Sequence, residues 1–165
     1  ILIFLFSSLF LIASETNEKQ IETKRSGYWT YYCKNYEEEK QCEIARKINI
    51  EQQNETFLIV YKITKNVNAK IKESLNIMTP TAPRVNIKKR LKISFDDKTK
   101  FTRSFLECEE TRCLAVFKSN GTLKYSMKNF NKMKITFFGF EDEEPISLTL
   151  SMDGFKQALD DLYQR

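Results

Sequence analysis

Residues 146–162 read ISLTLSMDGFKQALDDL, and the change of period inside this stretch decides the fold class. Ile146, Leu148, Leu150 and Met152 alternate with Ser147, Thr149 and Ser151, so every second side chain is apolar. That period of two describes a strand with one buried face. After Asp153 the period becomes helical. Phe155, Ala158, Leu159 and Leu162 fall at i, i+3, i+4 and i+7, which makes one apolar stripe on a short helix. Asp153 is the expected N-cap of that helix.

Upstream, the strand pattern repeats at short intervals. Residues 28–33 and 42–50 flank a polar segment and read as a hairpin, and residues 57–64 (FLIVYKIT) are rich in β-branched and aromatic types. Residues 71–78 form a weaker strand ending at TPTAP, where Pro80 and Pro83 mark a loop or sheet edge. Residues 85–95 read as one strand with Val85, Ile87, Leu91, Ile93 and Phe95 on one face, and Asp96-Asp97 as a turn. Residues 101–106, 113–117, 123–127 and 133–140 complete the series before the closing strand, with Ser119-Asn120-Gly121 as the turn ahead of 123–127. About eight or nine strands in sandwich-like antiparallel sheets, with one short C-terminal helix, is the expected architecture.

The composition suits one domain. Of 165 residues, 41% are hydrophobic and 13% aromatic, enough for a packed core, and four Gly with three Pro leave little room for linkers. The net charge of +5, from 27 basic and 22 acidic residues, is too mild and too dispersed to imply nucleic acid. Histidine is absent, which removes Ser-His-Asp and Cys-His catalysis and the commonest zinc ligand.

Residues 1–13, ILIFLFSSLFLIA, are apolar and uncharged, too short to span a bilayer comfortably and flanked by polar SETNEKQ. They match the core of a secretory leader without its start Met or basic flank, with cleavage expected near Ala13 and Ser14. The expected organisation is a partial leader over 1–14, a polar lead over 15–26 and a single β domain over 27–165. The protein is expected to be periplasmic or secreted, touching membrane only through the leader during export.

Four cysteines agree with export. They form two local groups, Cys33 with Cys42 and Cys108 with Cys113, each bracketing a short polar segment. Three pairings are open to four cysteines, and local pairing as structural disulfides is the simplest. The eight-residue gap between the first two fits a zinc knuckle poorly. A redox-active pair at Cys108 and Cys113, with Arg112 lowering a thiol pKa, is opposed by Glu107, Glu109 and Glu110.

Three features in this order resemble the invasion-associated locus B (IalB) family of exported bacterial proteins. They are Trp29 with Cys33 and Cys42, then Cys108 and Cys113 followed by Ala115, and the closing LTLSMDGFKQALDDL. Together they span residues 27–162. The chain departs from the family pattern at Arg112, where a Gly usually precedes the fourth Cys, and at TPTAPRVN in the middle. The resemblance implies an exported β protein linked to host-cell invasion, with no established catalytic chemistry.

Remaining candidates are surface features. The basic run 84–100 offers Arg84, Lys88, Arg90 and Lys92 as an anion-binding surface, or else as a lysine-protected strand face. Tyr28, Trp29, Tyr31 and Tyr32 make an aromatic patch that either binds a glycan or peptide, or packs on the core with hydroxyl tips in water. Acidic residues 37–39 and 141–144 lie in turns, without the shielding that acid–base catalysis needs. Asn54-Glu-Thr and Asn120-Gly-Thr match glycosylation acceptors and read as plain turns in a bacterial protein. The sequence therefore points to a non-enzymatic interaction protein with an unknown protein or an envelope or host-surface partner, no cofactor and no metal. The alternatives are an exported enzyme with a carboxylate-based site and a membrane-tethered envelope protein.

Overall fold

In β4 (Glu55–Asn66) the side chains of Phe57, Ile59, Tyr61 and Ile63 are buried while Leu58, Lys62 and Thr64 lie half-exposed on the opposite face beside a covered Val60, and this alternation organises the whole fold. The computed structural model describes residues 21–50, 55–80, 85–139 and 144–164. Residues 1–20, with the expected leader, lie outside them, as do Asn54, Arg84 and most of the 141–144 cluster.

Two antiparallel sheets pack face to face. The larger has seven strands in the order β1 (Lys24–Ser26), β2 (Trp29–Asn35), β3 (Glu39–Ile50), β4 (Glu55–Asn66), β5 (Ile71–Pro80), β9 (Arg112–Lys118) and β8 (Glu107–Cys108). The smaller runs β11 (Pro145–Ser151), β10 (Lys132–Phe138), β6 (Leu91–Phe95) and β7 (Thr99–Arg103). Phe57 of β4 meets Phe137 of β10 across the sandwich, ring centroids 5.5 Å apart. The fold is mainly β, as the alternation implies, with two short helices, α1 (Gly121–Asn129) and α2 (Phe155–Tyr163).

Helix α2 buries Phe155, Ala158, Leu159 and Leu162, the stripe read from the sequence. Phe155 packs edge-on against Trp29, at 5.2 Å, and against Tyr61, at 5.5 Å. Asp153 is not the N-cap. Gly154 holds that position with φ +87° and no side-chain cap. The reason is crowding: a Cβ on Gly154 would sit 2.0 Å from the Ser26 carbonyl oxygen, and one on Gly27 would sit 2.5 Å from that of Asp153. The β1–β2 turn and the start of α2 thus touch backbone to backbone. The end of the polar lead contributes the three residues of β1.

Two expected strands differ. Residues 123–127 form α1 instead of a strand. Asn120 caps this helix, its Oδ1 accepting from the Leu123 N–H at 2.8 Å. Leu123 and Met127 are buried one turn apart, a spacing that period two and period 3.6 share, while Tyr125 between them is 62% exposed. The expected strand over 85–95 is split. Val85 makes one bridge to Gly139, Asn86 closes a turn by accepting from Lys88 and Lys89, and Ile87 is exposed, so only Leu91–Phe95 is strand. Strands β1 and β8, which are short, bring the count among the described residues to eleven.

Candidate interaction surface

The hairpin register places the cysteines. Cys33 is the cross-strand partner of Cys42 in β2–β3 and Cys108 that of Cys113 in β8–β9. Both pairs are disulfides, with Cα atoms 4.1 Å and 4.0 Å apart. No free cysteine remains.

The basic run 84–100 does not form one face. Lys88 and Arg90 lie in the exposed 86–90 turn, and the Lys89 ammonium sits 4.1 Å over the Phe138 ring. Of the run, Lys92 and Lys100 lie on one sheet face, where Lys134 from another strand joins them. Lys134 of β10 pairs with Ser94 of β6, which pairs with Lys100 of β7; Lys92 lies two residues along, between Thr136 and Thr102. Neighbouring strands are about 4.8 Å apart, so Lys134 and Lys100 are separated by roughly 10 Å with Lys92 on the diagonal.

All three lysines are exposed and make no ion pair among the described residues. Ser94, Thr102 and Thr136 fill the gaps between them, and the shallow depression they line, about 350 Å³, has one carboxylate at its rim, Asp97. A second depression, about 290 Å³, adjoins it at Thr102 and adds Arg90 and Arg103 over Phe105 and Leu106. Lys134 was not among the sequence candidates, although its place between inward Met133 and Ile135 marks it as outward-facing. Which lysines it would join depends on the pairing of β6 with both β7 and β10.

The aromatic patch divides. Trp29 and Tyr31 are buried, whereas Tyr28 is exposed beneath the Arg46 guanidinium, 4.6 Å from its ring centre. Arg46 donates to the Ser151 carbonyl, and its partial burial lowers its pKa. Tyr32 donates to Glu43 at 2.6 Å, and that bond, followed by burial, pushes its pKa up to about 12. Within the patch Trp29 and Tyr31 face the core, while Tyr28 and Tyr32 are each engaged by a neighbouring side chain.

One carboxylate with several partners is Glu73, which the sequence did not single out. It accepts from Tyr61 at 3.0 Å, pairs with Lys124 at 3.0 Å and accepts from Tyr163, while Tyr61 also meets Ser119 at 2.8 Å. Burial, above all, raises the Tyr61 pKa. The cluster ties β4 and β5 to both helices. Chemically it is a lock: both Glu73 oxygens are occupied. Among the described residues no group of three or more His, Cys, Asp or Glu has metal-site geometry, and no helix is long and apolar enough to cross a membrane.

Comparison with known proteins assigns the family. The sequence profile described as "Invasion associated locus B (IalB) protein" matches residues 29–163. The chain belongs to the IalB family. Among solved structures it is similar to the crystal structure of invasion associated protein b from Bartonella henselae, with a TM-score of 0.68 and 19% identity. That superposition covers 87% of this chain and 95% of the other, so the two share the fold over nearly their whole lengths. A comparison with curated proteins returns no match. The IalB fold and two disulfides together suit a protein that works outside the cytoplasm.

Proposed function

We propose that this IalB-family chain is an exported, non-enzymatic binding protein that engages an anionic glycan of the cell envelope or host surface through the outer face of its four-stranded sheet. The carrying observation is the triangle of Lys92, Lys100 and Lys134, brought together from three adjacent strands with one carboxylate, Asp97, at its rim. Unpaired ammonium groups within about a Debye length, ~8 Å at physiological salt, add their potentials. The serine and threonine hydroxyls between them offer hydrogen bonds to sugar hydroxyls as well as to acidic groups. Arg90 and Arg103 extend the same track beyond Thr102. Between the three lysines the face presents Ser94, Thr102 and Thr136 rather than apolar side chains, which favours a hydrated polyanion over a membrane surface.

Heparin-agarose, a sulfated glycan matrix, is a direct probe. The variant Lys92→Glu/Lys100→Glu/Lys134→Glu should elute at much lower salt than the parent. Lys65→Glu/Lys70→Glu/Lys72→Glu changes the net charge equally at exposed positions of the β4–β5 hairpin and should lose far less. Equal loss in the two variants would reduce the effect to net charge and overturn the assignment.

A further inference from the structure

The outer face of the seven-stranded sheet carries an apolar field closed by opposite charges. Across β3, β4, β5, β9 and β8 one row of paired residues reads Lys47, Leu58, Met78, Leu114, Glu107. The adjacent row reads Ala45, Val60, Asn76, Val116. Val60 is buried, and the other apolar members are half-exposed although they point away from the core. Lys47 and Glu107 are exposed and make no ion pair among the described residues.

We infer that this face binds a second copy of the same chain in a two-fold, face-to-face dimer whose axis runs along β5. A rotation by 180° about that line turns the face over and reverses the order of strands within each row. Met78 then meets the partner's Met78, Leu58 meets the partner's Leu114, and Lys47 meets the partner's Glu107. In the next row Val60 meets the partner's Val116, and the two Asn76 amides face one another. The first row is self-complementary because its two ends carry opposite charges at equal distances from the axis. An axis across the strands would instead set Lys47 on the partner's Lys47. The interface is isologous, so each charged contact is made twice.

Packed sheets cross at about −30°, so the two-fold axis passes through Met78 tilted by about half that angle from the β5 direction, within reach of the long Lys47 and Glu107 side chains. That rotation splays the corners, where Lys62 and Lys118 of the Ser74 row would otherwise approach each other. The five strands span roughly 19 Å, and the rows from Ser74 to Pro80 roughly 20 Å. A face of that size is at the small end of specific interfaces, on the order of 1,000 Å² buried in total, so the dimer should be reversible. It leaves the lysine face of the other sheet open.

Sedimentation equilibrium of the oxidised protein over a concentration series tests the inference. A monomer–dimer equilibrium is expected. Lys47→Glu and Glu107→Lys should each raise the dissociation constant about ten-fold, and the double variant should return it toward the parent value. Met78→Lys, which sets two ammonium groups on the axis, should abolish the dimer while far-UV circular dichroism stays unchanged. A monomer at every concentration would overturn the proposal. So would a dimer whose two single charge variants are not rescued in combination.

Discussion

Replacing Phe155 by alanine probes the joint between helix α2 and the larger sheet. The Phe155 ring is fully buried, edge-on to both Trp29 and Tyr61, so truncation removes its burial, opens a cavity and ends two aromatic contacts. Emptying a buried Phe site costs about 3–5 kcal/mol, and aromatic pairs contribute about 0.5–1.5 kcal/mol each beyond area. The upper part of the range, about 4–5 kcal/mol, is therefore expected. Partial collapse is hindered because Gly154 and Gly27 already hold the helix start against the β1–β2 turn. With a urea slope of about 2 kcal/mol per molar, the midpoint should fall by about 2 M. Asp160→Ala is the comparison. It ends the 2.7 Å pair with Lys128, whose partners are 28% and 40% exposed, and such pairs contribute about 0.2–1 kcal/mol, or less than about 0.5 M. Unfolding followed by circular dichroism reads both variants. Comparable midpoints would refute the packing argument, because Phe155 would then be no more costly to lose than a surface charge.

Removing either disulfide by paired Cys→Ala replacement should lower stability by about 2–3 kcal/mol on chain-entropy grounds, the Cys33–Cys42 loop slightly more than the shorter Cys108–Cys113 loop; urea midpoints under oxidising conditions check the order. Stability should also fall at high pH. Tyr32 has a folded-state pKa near 12 against an unfolded value near 10, so its contribution is full below pH 10 and is lost as pH rises toward 12; Tyr32→Phe should show a smaller drop in urea midpoint between pH 9 and pH 11 than the parent.

The parts of the fold that could be read from the chain are those in which local pattern and tertiary burial demand the same thing. The closing strand and α2 are one case, because a switch from period two to period 3.6 has few interpretations. Strand β4 is another, its eight-residue core being apolar or β-branched almost throughout. Residues 123–127 were misread because Leu123 and Met127 satisfy both periods. Only the Asn120 side chain, turned to the Leu123 N–H, selects the helix, and Asn-Gly reads equally well as a hairpin turn. The Gly154 N-cap was hidden for a different reason. Its conformation is dictated by Ser26, 128 positions away in the chain, and no local window contains that contact.

The candidate surface was legible only in fragments, and the physical cause is that a sheet face is assembled by register. Sequence proximity grouped Lys92 with Lys88 and Arg90, yet the 86–90 turn separates them, while Lys134 and Lys100 join Lys92 through pairing with β6 from opposite sides. The row from Lys47 to Glu107 is more scattered still, drawing one residue from each of five strands. Its charge order has no counterpart along the chain and arises only once the seven strands are ordered. The outward positions of both sheets therefore carry the charge pattern that composition concealed. A net charge of +5 describes neither a triangle of unpaired lysines on one sheet nor an apolar field bounded by plus and minus on the other. Under the two proposals, reversing charges at single outward positions should change binding or self-association while leaving the inward-facing core untouched, so the two surfaces can be dissected separately.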